Sequence, residues 1–339
     1  MNFNYFKYAF KNKITYKIKS YIDILVIVNI RLLFYIFRSY AYQVMLSQLK
    51  NDGAQVIKIL PAKESPLFIK SEEKKSIPLY FRVDDGVAHV FLSDSSYTYS
   101  PEIHRFLGEV ITNNTTKNIV LDVGSNIGLI SRQLYCNYEG FIDKFFCYEP
   151  DIDNYNVLKK NLINKSNSFH LINAGLGPTS SKKTLYKQYS NSGNYSLLKS
   201  AMLTTGDALK LNKGLKLTEN YSTSQIEIIS VSDEFSRWPI NGRNIIWKSD
   251  AQGYDEKIVT SLPIEFWIDN VKGAVIEILR IEGKEYDEDK MHEIINSFPY
   301  KSFIHQPNIN LSSDQIMKYI LPSNNIIEDR SFVDLLLWH

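Results

Sequence analysis

The sequence is poor in cysteine and lacks any cluster of metal-ligating side chains. It holds 2 cysteines and 6 histidines in 339 residues, and the histidines are scattered. Cys136 and Cys147 both lie in apolar surroundings and form no metal-binding pattern. Disulfide-rich secreted domains and protein-bound metal centres are therefore not expected. We predict a reducing, cytoplasmic compartment and no metal site.

The chain also lacks an excess of charge of one sign. Its 39 Lys and Arg residues nearly balance 37 Asp and Glu residues, and no basic stripe with interleaved aromatic residues is present in the main domain. We therefore predict no nucleic-acid partner. The length suits one large α/β domain with an N-terminal extension.

The N-terminal extension has a distinct composition. Met1–Ser20 contains lysines but no acidic residue, and the apolar segment Ile22–Phe37 is interrupted by polar residues. The segment is too short for a membrane-spanning helix, which needs about 20 apolar residues, and no signal cleavage site follows it. Two interpretations stay open: peripheral membrane contact through residues 1–40, or packing on the main domain or on a second subunit of a homo-oligomer.

A hairpin and a flanking helix are predicted before the main domain. Asp84-Asp85-Gly86 separates the apolar runs Ile77–Val83 and Val87–Leu92, which is typical of a hairpin. Pro101–Ile111 has the spacing of an amphipathic helix, which we place as a lid or a flanking helix over the sheet edge. The predicted division is an extension at 1–50, a hairpin with its helix at 51–110, and a Rossmann-like domain at 111–339.

The most informative motif is a strand that ends in a glycine turn. The apolar run Asn118–Val123 contains Asp122, and Gly124 and Gly128 follow. Such a turn brings bare backbone close to a nucleotide-like ligand at the carboxyl edge of a parallel sheet. The spacing Asp-x-Gly-x-x-x-Gly differs from the Gly-x-Gly-x-x-Gly of dinucleotide enzymes and favours S-adenosylmethionine. Alone, it is equally compatible with an ordinary strand-to-helix turn.

A second strand supports the cofactor interpretation. Phe145–Tyr148 ends at Glu149, roughly twenty residues after Gly128, the spacing of an acidic residue that binds ribose hydroxyls. The alternative for Glu149 is a solvated residue before Pro150. A third strand, Phe169–Ala174, ends at the same edge. The predicted cofactor-binding residues are Asp122, Gly124, Ser125, Asn126, Gly128, Glu149, Asn173 and Ala174.

Strands alternate with helices along the main domain, which predicts a doubly wound, mostly parallel, seven-stranded sheet. Between Thr184 and Lys216 the pattern lapses into a largely polar region. This region, which includes Ser192–Ser196, is either a surface loop or a substrate lid. The apolar run Phe332–Trp338 is predicted as the last strand.

A second group of polar residues follows a later strand. Lys248 and Asp250 are two residues apart after an apolar run, so their side chains point the same way. The pair either orients a substrate hydroxyl, with Asp250 available to take its proton, or braces the sheet edge. Glu277, near the end of the next strand, either faces the same edge or binds a loop.

Three motifs resemble the FkbM-type family of S-adenosylmethionine-dependent methyltransferases. They are Leu121–Gly128, Tyr148–Pro150 with Asn154 and Leu158–Asn161 after it, and Lys248–Asp255, which is similar to the family's Lys-Ile-Asp-Val-Glu-Gly-x-Glu pattern. The resemblance covers roughly residues 80 to 339. It implies O-methylation, often of sugar hydroxyls in surface polysaccharides, glycolipids or secondary metabolites.

The sequence departs from that family at two positions. Gln252 and Asp255 stand where glutamates are usual. Because an amide cannot act as a base, Asp250 is the better candidate for the base, and Gln252 is predicted to hydrogen-bond the acceptor. The predicted catalytic residues are therefore Asp250, Lys248 and Gln252, acting on a small-molecule or glycan hydroxyl.

Two alternative functions stay open. An NAD(P)-dependent oxidoreductase is compatible with the Tyr-x-x-x-Lys spacing of Tyr155 and Lys159, although the glycine spacing is wrong for one. A catalytically silent cofactor-binding protein is compatible with Gln252 in place of a glutamate.

Overall fold

The computed structural model describes residues 55–59, 77–81, 99–162, 167–188, 192–204, 221–239, 243–280, 284–321 and 332–339. The predicted N-terminal extension, its membrane contact and the predicted strand Val87–Leu92 lie outside these residues. Within the described ranges, no helix is both long enough and apolar enough to cross a membrane.

The strands of the described residues fall into three sheets. In chain order they are β1 (Gln55–Ile59), β2 (Ile77–Phe81), β3 (Asn118–Val123), β4 (Ile142–Tyr148), β5 (Phe169–Ile172), β6 (Gly175–Gly177), β7 (Ser181–Gln188), β8 (Tyr221–Ser230), β9 (Asn244–Ser249), β10 (Val271–Leu279), β11 (Tyr300–Phe303) and β12 (Phe332–Trp338).

Most of the helices connect these strands. In the described ranges they are α1 (Pro101–Asn113), α2 (Leu129–Tyr138), α3 (Ile152–Leu162), α4 (Lys199–Thr204), α5 (Val231–Phe235), α6 (Asp255–Val259), α7 (Ile264–Asp269), α8 (Glu288–Ser297) and α9 (Ser313–Ile320). Ser192–Asn194 forms a single 3-10 turn.

The main sheet has seven strands in the order β11-β12-β10-β9-β3-β4-β5. The five strands from β10 to β5 are parallel, and β12 runs antiparallel to both β10 and β11. This confirms the predicted Rossmann-like, mostly parallel α/β fold. The connections reverse direction between β3 and β9, and ligands of doubly wound sheets bind at such a point. The reversed β12 also distinguishes this order from the 3-2-1-4-5-6 order of dinucleotide-binding sheets.

Helices cover both faces of the main sheet, as the apolar runs of its strands require. Ile119, Leu121 and Trp247 face the layer of α6, α7, α8 and α9. Their chain neighbours Val120 and Ile246 face α1, α2 and α3. Polar residues at the strand ends are therefore set at the edge of a rigid three-layer core.

A small sheet of order β6-β8-β7 stands beside the main one. The prediction that the sequence pattern lapses from Thr184 onward was wrong for its first residues, because Ser181–Gln188 pairs with β8 along its whole length. The strand can have a mostly polar sequence because Leu185 is its only fully buried residue. Its apolar partners, Ile226 and Ile228, come from the distant β8.

Two strands and one helix before the main sheet lie within the described residues. Among the described residues, Ile77–Phe81 pairs antiparallel with Gln55–Ile59. The predicted helix at 101–111 is confirmed and extends to Asn113. Its buried face packs against the sheet through Leu107 and Ile111, so α1 is a flanking helix.

Candidate active site

The glycine turn after β3 is held against the end of β4. Backbone N–H groups of Gly124 and Ser125 donate to the Tyr148 carbonyl oxygen at 3.0 and 2.9 Å. Gly124, Asn126 and Gly128 adopt left-handed backbone conformations, with φ of 73°, 50° and 83°. The turn therefore passes directly beside Glu149.

Gly124 also marks a close approach between the two motifs. A Cβ atom at this position would lie 2.0 Å from the carbonyl oxygen of Asp250. The backbone N–H of Asp250 in turn donates to the Val123 carbonyl at 3.0 Å. The glycine turn and the start of the Lys248–Asp255 segment are thus in direct backbone contact, which only glycine permits.

The carboxylate of Glu149 is held in a defined orientation. Its two oxygens accept backbone N–H bonds from Asn126 at 2.8 Å and from Asp151 at 2.9 Å. Burial raises the pKa of Glu149 to about 8, although these two bonds act in the opposite direction. Each oxygen keeps a lone pair for a further hydrogen bond, and a ribose hydroxyl is a suitable donor.

Lys248 is paired with Asp122 behind the glycine turn. Its Nζ lies 3.1 Å from Asp122 Oδ1 and donates to the Gly124 carbonyl at 2.9 Å, whereas Asp250 Oδ2 is 4.0 Å away. Ser131 donates to Asp122 Oδ2 at 2.6 Å. Burial lowers the pKa of Lys248, but Asp122 and Asp250 outweigh this effect and hold it above its ordinary value. The buried pair joins β3 to β9 at the centre of the sheet.

We expect replacement of Lys248 by methionine to lower the free energy of unfolding by about 3–5 kcal/mol, because it leaves the Asp122 carboxylate buried without its cation. The measurement is urea denaturation. The double variant Asp122→Asn/Lys248→Met should recover most of the loss, because no uncompensated charge remains. A single variant as stable as the wild type would contradict a structural role for the pair.

Gln252 bridges two carboxylates at the end of β9 and β10. Its Nε2 donates to Asp250 Oδ1 at 2.7 Å and to Glu277 Oε2 at 2.9 Å. Gln252 has a left-handed backbone conformation, with φ of 49°, which costs a non-glycine residue about 1–2 kcal/mol. Its amide holds Oδ1 of Asp250, whereas Oδ2 lies 4.0 Å from Lys248 Nζ.

The carboxyl groups at this edge have raised pKa values. Burial and the charges of Asp250, Asp255 and Asp334 raise the pKa of Glu277 well above its ordinary value. Burial and Asp250 raise the pKa of Asp334 to about 7. Burial also raises the pKa of Asp255 to about 7. Both carboxylate oxygens of Asp255 accept the backbone N–H of Ala251. The edge is therefore crowded with acid groups that resist ionisation together.

The raised pKa values predict that the free energy of unfolding decreases as pH rises. An acid whose pKa is higher in the folded than in the unfolded state stabilises the fold below its unfolded pKa, and this contribution is lost as pH rises through the folded value. For Asp334 the loss falls between its ordinary pKa of 3.8 and about 7. In urea denaturation, Asp334→Asn should reduce the fall in unfolding free energy over that window by more than about 1 kcal/mol. The exposed control Asp289→Asn should leave it unchanged, and an equal fall in both variants would contradict the prediction.

A cavity of about 450 Å³ connects the two motifs along the sheet edge. Its walls include seven of the predicted site residues: Gly124, Ser125, Asn126, Glu149, Lys248, Asp250 and Gln252. Glu277 and Asp334 line the same cavity, and Leu185, Ile226 and Ile228 of the small sheet form an apolar wall.

Four predicted cofactor residues are not part of the cavity lining. Asp122 is in the buried ion pair, and Gly128 lies against Leu158 of α3, which a Cβ atom at Gly128 would approach to 2.6 Å. Asn173 donates to the carbonyls of Glu149 and Pro150 at 2.9 and 3.2 Å, and Ala174 is buried. These contacts support the shape of the edge, and a direct cofactor role for these four residues stays a prediction.

The segment Ser192–Ser196 joins the two ends of the cavity. The Ser192 carbonyl accepts from Asn154 Nδ2 at 3.3 Å, and its hydroxyl donates to Asn126 Oδ1 at 3.4 Å. Ser196 donates to the Gln252 carbonyl at 2.7 Å. The segment therefore contacts both the glycine turn and the Gln252 turn.

Asn154 and Asp334 also line the cavity, although neither was among the predicted site residues. Asn154 carried a signal, because it follows the Tyr148–Pro150 motif that was already taken as part of the site. Asp334 carried none, because it reaches the edge only through the antiparallel pairing of β12 with β10.

The residues of the oxidoreductase alternative lie elsewhere. The Tyr155 hydroxyl donates to the Leu171 carbonyl at 3.2 Å, and Lys159 Nζ lies 4.9 Å from the centre of the Tyr155 ring. Neither residue lines the cavity. Among the described residues, no group of three His, Cys, Asp or Glu side chains is arranged to hold a metal ion.

No protein-family model and no curated protein matches this chain. Solved structures similar to it include the methyltransferase FkbM from Methylobacillus flagellatus, at 12% identity and a TM-score of 0.33, over 65% of this chain and 43% of that protein. A protein from Pyrococcus horikoshii assigned as an RNA methyltransferase has 10% identity and a TM-score of 0.29, over 71% and 84%. TrmK from M. capricolum, in complex with S-adenosylhomocysteine, has 11% identity and a TM-score of 0.26, over 68% and 65%. The chain thus spans less than half of the first of these proteins.

Proposed function

We propose that this protein transfers a methyl group from S-adenosylmethionine to a hydroxyl group, with a glycan or glycolipid precursor as acceptor. The observation that carries the proposal is the single cavity that runs from Glu149 and the glycine turn to Asp250. Its volume of about 450 Å³ is within the usual range for small-molecule sites, roughly 300–1,000 Å³. One end offers groups suited to a nucleoside, and the other offers a carboxylate suited to an acceptor.

The residues at the first end fit the cofactor. The oriented Glu149 carboxylate suits the ribose hydroxyls, and Ile127 and Leu176 provide apolar surface for the base. S-adenosylmethionine supplies an activated sulfonium methyl group when bound, so little covalent chemistry is left to the protein. The protein must place the acceptor oxygen in line and accept its proton.

Asp250 is suited to both tasks. Its side chain is 35% exposed, which leaves it accessible from the cavity, and Gln252 fixes Oδ1 at 2.7 Å. In our proposal Oδ2 accepts a hydrogen bond from the acceptor hydroxyl and takes its proton as the new oxygen–carbon bond forms and the carbon–sulfur bond breaks. The buried Lys248 stabilises the negative charge of Asp250 from behind.

Calorimetry and a labelling assay test this proposal. We expect binding of S-adenosylmethionine and no binding of NADH by the purified protein. Incubation with a cell-envelope extract and methyl-labelled S-adenosylmethionine should give a labelled product whose methyl group is on oxygen. NADH binding without S-adenosylmethionine binding would support the oxidoreductase instead. Cofactor binding without a labelled product in any extract would support a silent binding protein.

The N-terminal extension suits an acceptor carried on a membrane lipid. Its lysines and apolar segment favour peripheral contact with an anionic membrane surface on the cytoplasmic side. Membrane contact and self-association both stay part of the proposal.

A further inference from the structure

The acceptor end of the cavity contains two carboxylates placed against each other. Glu277 of β10 and Asp334 of β12 are directly opposite in the antiparallel register. Like charges opposite each other on paired strands destabilise a sheet. Both residues line the cavity, and Glu277 is only 7% exposed. The pair is therefore an unfavourable arrangement that the fold retains at its ligand edge.

These carboxyl groups have no cationic partner in the described part of the chain. Glu277 Oε2 accepts a hydrogen bond from Gln252, and the Glu277 carboxyl group also lies within hydrogen-bonding reach of Asp250. No lysine, arginine or histidine of the described ranges forms an ion pair with either residue. Lys248, which lines the same cavity, is engaged by Asp122 and the Gly124 carbonyl. A pair of carboxyl groups that faces a cavity without a cationic partner points to a ligand with donor groups and positive charge.

The position of the pair separates it from the cofactor. Glu149 and the glycine turn belong to β4 and β3, whereas Glu277 and Asp334 belong to β10 and β12. Strands in a sheet are about 4.8 Å apart, so the pair lies roughly 10–14 Å from β3 along the sheet. Asp250, directly after β9, stands between the two groups. A cation bound by Glu277 and Asp334 would therefore lie on the acceptor side of Asp250, the proposed base.

Phe332 adds a second feature that suits a cation. It precedes Asp334 by two residues on the same strand face and lines the same cavity. Aromatic faces attract ammonium groups as well as sugar rings. A metal ion is a poorer fit, because among the described residues these side chains do not form a metal-ligand group.

We propose that Glu277 and Asp334 bind an ammonium group of the acceptor, so that the acceptor is an amino sugar or a similar hydroxylated amine with its hydroxyl at Asp250. This inference rests on the proposed methyl transfer. The bound ammonium group stabilises the ionised forms of the two acids, which resist ionising together without it, and it sets the distance between the charged group and the methylated oxygen. Neutral glycans of the same size lack this contact.

Chemical capping of amines tests the inference on the full-length protein. One envelope extract is divided into untreated, N-acetylated and reductively dimethylated samples, and each is incubated with methyl-labelled S-adenosylmethionine. Acetylation removes the positive charge, whereas dimethylation keeps it. We expect acetylation to reduce labelling about tenfold or more, and the dimethylated sample to keep most of its labelling.

The outcomes separate this inference from the proposed function. Labelling that survives acetylation overturns the inference and leaves the methyl transfer in place. Equal loss in both modified samples also overturns it, because the nitrogen is then needed for a reason other than its charge. No labelling in the untreated sample overturns both.

Isosteric variants give a second test. Asp334→Asn and Glu277→Gln each remove one of the opposed charges, so their unfolding midpoints should equal or exceed that of the wild type. We expect both to bind S-adenosylhomocysteine within about twofold of the wild type and to lose about tenfold or more of the labelling. The residual labelling should no longer respond to acetylation. The exposed variant Asp289→Asn is the control, and wild-type labelling by Asp334→Asn would refute the inference.

Discussion

Asp250→Asn is expected to lower the rate of methyl transfer by about 10²–10⁴-fold, the range that a positioned base contributes. The substitution keeps the shape of the side chain and an oxygen that can accept the 2.7 Å hydrogen bond from Gln252. It removes the second oxygen, which is the proposed proton acceptor. The measurement is single-turnover transfer with the labelled cofactor, using the most active acceptor fraction.

The cofactor site provides the control for this variant. Glu149 and Asn126 are held by their own hydrogen bond at 2.8 Å, so affinity for S-adenosylhomocysteine should stay within about twofold of the wild type. A rate close to that of the wild type would remove Asp250 as the base. A loss of cofactor binding in parallel with the rate would assign Asp250 to the donor side instead.

Gly124→Ala is expected to lower the free energy of unfolding by about 3–5 kcal/mol, because it combines steric overlap with backbone strain. The new Cβ would lie 2.0 Å from the Asp250 carbonyl oxygen, and a φ of 73° is unfavourable for alanine. Either the turn or the β9 end must move, so cofactor affinity should fall with stability. Urea denaturation and calorimetry measure the two effects.

Gly140→Ala is the matched control for this prediction. Gly140 is exposed, and a Cβ there would meet no atom within 4 Å. The control should change stability by no more than about 1 kcal/mol in either direction. Equal effects of the two substitutions would show that Gly124 has no special role.

The parts of the fold that sequence predicts well are those with local causes. The apolar run Asn118–Val123, the glycines after it and the carboxylate of Glu149 lie within one β-α-β unit, so their spacing predicts their geometry. The seven-stranded architecture follows from the repetition of such units. The proximity of Gly124 to Asp250 is less evident, because it depends on the pairing of β3 with β9.

Other features depend on contacts that spacing does not reveal. β7 has a polar sequence because one of its faces is partly exposed, and its identity as a strand comes from its pairing with β8. The helix Ser313–Ile320 was not predicted, although the Ser312 and Gln315 capping box is a local signal for its start. Asp334 faces Glu277 only because a strand from the end of the chain inserts beside β10.

The reversed direction of β12 means that one end of the cavity can change in evolution independently of the other. The parallel strands bring their last residues to the ligand edge, whereas β12 brings its first residues, Phe332 and Asp334, to the same edge. Substitutions at the beginning of β12 can alter this end of the cavity without disturbing the glycine turn or Glu149 on the opposite half of the sheet. Under the proposed function, exchange of this strand would change the acceptor and leave the residues proposed for the methyl donor in place. The same exchange offers a practical route to engineered acceptor specificity.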